Sequence, residues 1–234
     1  MTDWKFIVTK TPGKILRRLR GRPEGWEPAV WKTVRKIRGE VFVDVGANVG
    51  RYAIGLHKNF NQVYAVEPSQ AAIDRLKLII TRAGAWNVTV LPFAAAEING
   101  KALFYIDETP GKCNGSADTI EPVFVYRPAS NPAVSMETIG RLDPVHGGKP
   151  SWVQTRRLDD YEFPSPISLV KIDVEGAEFR VLEGMRRNLS KRNVKNLIVE
   201  LHNRDRGLEL ETLMFDYGYS IQWLDPDHLY AWTR

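Results

Sequence analysis

Residues 41–55, VFVDVGANVGRYAIG, run from an apolar stretch into a turn bracketed by Gly46 and Gly50 and out into a helical pattern. A run that is apolar on both faces belongs in the middle of a parallel sheet. Parallel strands need crossover connections, usually helices. This one segment therefore commits the chain to alternating strands and helices.

The rest of the sequence keeps to that alternation. QVYAVEP reads as a second strand closed by Pro68, and SQAAIDRLKLIITRAG as an amphipathic helix with Ser69 as N-cap and Gly84 as its stop. NVTVLPFA makes a third strand. Upstream, EPAVWKTVRKIR places Val30, Trp31, Val34 and Ile37 at helical spacing. The second half resumes with the strand SLVKIDVE, the helix GAEFRVLEGMRRN, the strand NLIVELH and the helix ELETLMFDYG. YSIQWL and HLYAWTR, joined by DPD, read as a terminal antiparallel hairpin. The expectation is an α/β protein with a doubly wound, mostly parallel sheet.

Composition narrows the setting. The single cysteine, Cys113, excludes an intramolecular disulfide and a cysteine metal cluster. No apolar run approaches the roughly 20 residues of a membrane span. The N-terminus lacks the apolar core of a secretory signal, so a cytoplasmic protein with no disulfide partner is expected. Residues 1–40 carry eleven Lys or Arg against four Asp or Glu, whereas the remaining chain carries 22 against 24. The excess of positive charge thus belongs to a basic N-terminal arm, residues 1–27, ahead of one domain at 28–234. Residues 108–152 are rich in Pro and Gly and too long for an ordinary connection, and we read them as a cap or lid over the active face.

In open α/β sheets, ligands bind at the carboxyl ends of the strands, where strand order reverses. DVGANVG is neither the G-x-G-x-x-G of a dinucleotide site nor a phosphate loop. Asp44 beside the turn would repel a pyrophosphate but suits an ammonium or sulfonium charge. Glu67, at the end of the second strand, is placed to accept hydrogen bonds from both hydroxyls of a ribose. A ribose without phosphates and a cationic tail describe S-adenosylmethionine better than NAD or ATP.

With those residues in place, VFVDVGANVGRYAIG, YAVEPS, VQTRRLDDY and above all LVKIDVEGAEFRVLEGM resemble the FkbM-type S-adenosylmethionine-dependent methyltransferases, from about residue 28 to the C-terminus. NLIVELH and the late YGY fall in the same order. The resemblance implies a Rossmann-like class I methyltransferase fold whose seven-stranded sheet ends in an antiparallel strand. It also implies methyl transfer, most typically to a hydroxyl of a sugar, glycan or small metabolite. By the same resemblance Asp44, Gly46, Asn48 and Gly50 form the cofactor turn, and Glu67 holds the ribose. Pro68 and Ser69 lie beside the adenine, with Ala95 and Ala96 as its wall. Ser116 matches a serine of the family's substrate-side segment, although a second serine there is replaced by alanine.

Methyl transfer to a hydroxyl needs two positioned reactants and a group to take the proton. Candidates lie at the strand ends of the second half: Asp173, Glu200 and His202, with Glu175 on the substrate side. His202, at an ordinary pKa of about 6.5, would suit proton removal near neutrality. Glu178 is read as a complement to the positive end of the helix starting near Gly176. His57, His146 and His228 are read as structural or surface residues. Asp173, Glu200 and His202 are also common metal-ligand types, but nothing in their spacing demands a metal, and none is expected.

The basic arm opens an alternative. Arg17, Arg18, Arg20, Arg22, Lys32 and Arg35 could contact RNA, with Trp26 and Trp31 stacking on bases and a ribose 2′-hydroxyl as acceptor. A third reading is a non-catalytic S-adenosylmethionine-binding module. Removal of residues 1–25 separates the first two. An RNA acceptor predicts loss of a strongly salt-dependent binding in a filter assay, whereas a small-molecule acceptor predicts turnover nearly unchanged.

Overall fold

The computed structural model describes residues 27–106, 149–164 and 166–233. In chain order the first half comprises α1 (Pro28–Val34), β1 (Gly39–Val45), α2 (Arg51–Leu56), β2 (Phe60–Val66), α3 (Gln70–Ala83) and β3 (Val88–Leu91). Then come β4 (Ala94–Ala95), β5 (Gly100–Ile106) and β6 (Lys149–Arg156). The second half adds β7 (Ile167–Ile172), α4 (Glu178–Gly184), α5 (Arg186–Ser190), β8 (Asn196–Glu200), α6 (Gly207–Asp216), β9 (Ser220–Trp223) and β10 (His228–Trp232).

Seven strands form one sheet in the order β3-β2-β1-β7-β8-β10-β9. β10 runs antiparallel to both β8 and β9, while β1, β2, β3, β7 and β8 are parallel. The doubly wound sheet with its antiparallel last strand is the one expected from sequence. Strand order reverses between β1 and β7, so a crevice belongs beyond Val45 and Ile172.

The last five residues of β1 are all buried. Alternation sends Phe42 to one face, packed with Trp31, Tyr52, Leu76 and Leu169. Val43 and Val45 go to the other, packed with Val181, Leu182, Met185 and Met214. On the first face Trp31 stacks on Tyr52 with ring centres 4.5 Å apart. Gly55 makes room for it, since a Cβ there would lie 2.5 Å from the Trp31 ring. Trp31 is thus core, 3% exposed, and is not a platform for a base. Arg35 lies 5.1 Å over that same ring.

Two features depart from the sequence pattern. The helix expected through GAEFRVLEGMRRN is broken into α4 and α5 at Met185. Gly184 packs so closely that a Cβ would fall 2.0 Å from the Ala96 carbonyl oxygen. Asp159 then caps the new start, accepting from the Arg187 and Asn188 backbone N–H groups at 2.7 and 2.9 Å. Second, β4, β6 and β5 form a small separate sheet, with β5 and β6 antiparallel from Gly100↔Thr155 to Ile106↔Lys149. Residues 149–152, assigned to the cap from sequence, are therefore strand. The remainder of that stretch, 108–148 with Ser116, lies outside the described residues, as do Arg17, Arg18, Arg20, Arg22 and Trp26. Among the described residues no helix is long and apolar enough to cross a membrane.

Two helix-end glycines have different costs. Gly84 has φ +62° but little around it, whereas Gly184 faces backbone. Gly84→Ala should cost about 1 kcal/mol through its left-handed conformation, and Gly184→Ala about 3 kcal/mol through overpacking. Urea unfolding of both variants checks this; equal costs would remove the packing account.

Candidate active site

The first turn is built by backbone geometry that only small residues allow. Gly46 has φ +79°, and a Cβ on it would lie 1.7 Å from the Asp173 carbonyl oxygen. The turn at the end of β1 is thereby pressed against the end of β7. Gly46 and Ala47 both donate N–H bonds of 3.0 Å to the Val66 carbonyl, fastening the turn to β2 as well. Asn48 is left-handed at φ 49°, and Gly50 at φ 83° leads into α2.

Glu67 ties this turn to the next helix. Its Oε2 accepts the Asn48 N–H and its Oε1 the Ser69 N–H, each at 2.8 Å. Ser69 is the N-cap of α3, accepting from the Ala72 N–H, and Pro68 beside it is half-buried. Ala95 and Ala96 lie on and just after β4; both are buried, and Ala96 donates its N–H to the Arg156 carbonyl. The structure thus gathers Gly46, Asn48, Gly50, Glu67, Pro68 and Ser69 around the ends of β1 and β2.

Asp44 has an intramolecular explanation. Its carboxylate is 2% exposed and accepts the Ala53 N–H at 2.8 Å. It stands opposite Lys171 in the β1–β7 register. Burial pushes its pKa up to about 7, against the pull of the Lys171 charge and the Ala53 N–H. The cation that a carboxylate here seemed to demand of a ligand is therefore already supplied by the protein.

Asp173, Glu200, His202 and Glu175 do converge. Lys171 Nζ donates to Asp173 Oδ2 at 2.9 Å and lies 3.7 Å from Glu200 Oε2. His202 is gripped from both sides, with Nε2 3.0 Å from Glu175 Oε2 and Nδ1 2.7 Å from Glu178 Oε1. The backbone makes this possible, because Glu175 is left-handed at φ 50° and Gly176 follows at φ 101°. Glu178 also accepts the Gly176 N–H at 2.8 Å, so it both starts α4 and orients the imidazole.

These contacts change the acid–base assignment. Burial opposes a charge on His202, but the hydrogen bonds it donates to Glu175 and Glu178 outweigh it and raise the pKa to about 10. In this arrangement His202 is an imidazolium at neutral pH and holds a proton where a base was expected from sequence. Burial likewise pushes Asp173 up, but the Lys171 ion pair prevails and keeps its carboxyl below the ordinary range. Asp173 is the ionised oxygen acceptor of the set.

One ligand atom each of Asp173, Glu200 and His202 falls within a 4.8 Å cluster. Lys171 Nζ already occupies Asp173 Oδ2, and Glu175 already occupies His202 Nε2. Lys171 and His202 thus supply two positive charges among these carboxylates.

Sequence reasoning passed over Lys171, Glu27 and Tyr52 and undervalued His228. His228 opens β10, is buried, and lies 2.8 Å from Asp225 Oδ1 and 3.3 Å from Glu200 Oε2. Glu27 accepts the Tyr52 hydroxyl and lies 3.6 Å from His228 Nε2. The available signal was a lysine inside the otherwise apolar run SLVKIDV.

A sheet reversing beside a glycine turn, with a carboxylate at the end of its second strand, has the architecture of a Rossmann-like α/β protein. The chain belongs to the Methyltransferase FkbM domain family, whose match spans residues 44–221. It is 28% identical over 188 residues to the hexuronic acid methyltransferase AglP of Haloferax volcanii, covering 74% of this chain and 66% of that protein. A crystal structure of methyltransferase FkbM from Methylobacillus flagellatus KT superposes with a TM-score of 0.54 at 19% identity, covering 83% of this chain and 44% of that one. The chain thus spans just under two thirds of the first relative and under half of the second.

The His202 ion pairs predict a pH-dependent stability. The folded state binds this proton more tightly than the unfolded chain, so the contribution is fully present below about pH 6.5. It is lost as pH rises toward about 10. The stability margin of the wild type over His202→Gln should therefore shrink across that window in urea titrations. A constant margin would mean that His202 is neutral in the fold.

Proposed function

We propose that this chain is an S-adenosylmethionine-dependent methyltransferase that acts on a hydroxyl group of a sugar, glycan or small metabolite. The observation that carries the reading is the shared wall between two half-sites. The glycine turn with Glu67 lies on one side, and Asp173, Glu200 and His202 lie on the other. Gly46 packs on the Asp173 carbonyl between them.

The residues present fit the cofactor. Glu67 stands at the end of β2 beside the glycine turn, the place where a ribose-binding carboxylate belongs, and that turn is not a phosphate loop. When bound, S-adenosylmethionine supplies an electrophilic methyl group whose bonding pair returns to sulfur as the acceptor oxygen forms its new bond. The chain's own task is to hold the acceptor and take its proton. Asp173, ionised and facing the crevice, is suited to accept that proton. His202 spends both ring N–H groups on Glu175 and Glu178, so what it brings to the acceptor is positive charge. Glu175 and Glu178 keep it charged for that purpose. Glu200 lies between Lys171 and His202 and aligns both.

The sugar or glycan class is favoured by AglP, named for a hexuronic acid substrate. The RNA alternative loses one support, because Trp31 is buried and Arg35 is laid over it.

Two measurements test the proposal. Calorimetric titration with S-adenosylmethionine should give binding that Glu67→Ala weakens by about tenfold or more while the fold persists. Unchanged affinity would remove Glu67 from the ribose role. Labelled methyl from the cofactor should enter small metabolites or glycans of a cell extract and survive ribonuclease. Label destroyed by ribonuclease would move the acceptor to RNA, and no label in any fraction would count against methyl transfer.

A further inference from the structure

Methyl transfer as described leaves Lys171 without a task. Lysine is almost never fully buried unless paired, yet this one is 1% exposed on a central strand. Its Nζ touches Asp173 at 2.9 Å, lies 3.7 Å from Glu200 and sits 4.6 Å over the Tyr52 ring. From β1, Asp44 faces it across the register. From the residue before α1, Glu27 reaches the same network through the Tyr52 hydroxyl. On the far side of Glu200 stand His228 at 3.3 Å and His202 at 4.0 Å. Behind those imidazoles lie Asp225 on the one side, and Glu175 and Glu178 on the other.

Carboxylates at the ends of adjacent parallel strands repel one another, and the common relief is to protonate one of them. A protonated carboxylic acid cannot take a proton from an acceptor. A buried ammonium offers a different relief that leaves the carboxylates charged. Geometry favours it here, because Lys171 is placed between the Asp173 and Glu200 oxygens and no other Lys or Arg of the described residues is ion-paired to either.

We propose that Lys171 is a positioning residue of the acceptor site, its buried ammonium holding the Asp173 and Glu200 carboxyl groups in one alignment at the ends of β7 and β8 and keeping Asp173 ionised. The chemical use of that pair rests on the methyl-transfer reading, whereas the electrostatic role does not. The low carboxyl pKa of Asp173 agrees with it, since Lys171 is the largest influence pulling it down against burial. Tyr52 adds to the arrangement by offering the ammonium a ring face in place of water.

The test uses the full-length chain with carboxyl-¹³C aspartate, the Asp173 signal being assigned by its loss in Asp173→Asn. In Lys171→Met the Asp173 midpoint should rise by about one pH unit or more. An unmoved midpoint in folded Lys171→Met overturns the proposal. If Lys171→Met does not fold at neutral pH, the role requires that Glu200→Gln restore folding; failure to restore it also overturns the proposal. Under labelled-methyl assay, the acid limb of the rate profile should move with the NMR midpoint. A midpoint that moves while the limb stays put removes Lys171 from positioning for transfer. A wild type that transfers no methyl defeats the functional reading, and the NMR titration still decides the electrostatic one.

Discussion

A buried ammonium at Lys171 is the interaction on which the crevice end of this sheet depends. Parallel sheets are covered on both faces, so a charge in one of their strands has no water to turn to. Asp44, Asp173 and Glu200 nonetheless share the neighbourhood of β1, β7 and β8, and removing one partner of such a buried set leaves an uncompensated charge. The ion pairs to Lys171 set a positive charge against Asp173 and Glu200 where solvent is excluded. The packing of the first face follows from the same point. Tyr52 covers the ammonium, Trp31 covers Tyr52, and Gly55 leaves the space that Trp31 fills.

The second constraint is backbone proximity. The turn after β1 touches the end of β7 so closely that no side chain fits between them. The half that carries the glycine turn and the half that carries the carboxylates are therefore joined by direct backbone packing. Glu67 extends the same rigidity sideways, because its two oxygens hold the turn and the start of α3 together. Residues so constrained lose little freedom when a ligand arrives, which is the physical content of a preorganised site.

His202 shows how a neighbourhood redefines a residue. Alone, a histidine at a strand end is a candidate base at neutral pH. Held between Glu175 and Glu178, it becomes a fixed cation, and Asp173 is the neighbouring carboxylate kept ionised. The loop DVEGAE achieves this by placing a left-handed glutamate before a glycine, which turns Glu175 and Glu178 toward one imidazole.

The sequence by itself determined the strand–helix alternation, the doubly wound sheet with its antiparallel end, the glycine turn and the neighbourhood of Asp173, Glu200 and His202. Those features are local: continuous apolar runs, capping residues and turn glycines act over a few positions. The tertiary structure alone decided the rest. The β5–β6 pairing joins residues as far apart as Ile106 and Lys149, and the break between α4 and α5 needs Asp159 and Ala96 from elsewhere in the chain. Lys171 reads in sequence as an oddity within a strand, and only strand register and packing show it between Asp173 and Glu200, opposite Asp44. Charge states follow from such distances and from burial, which a linear order of residues does not contain.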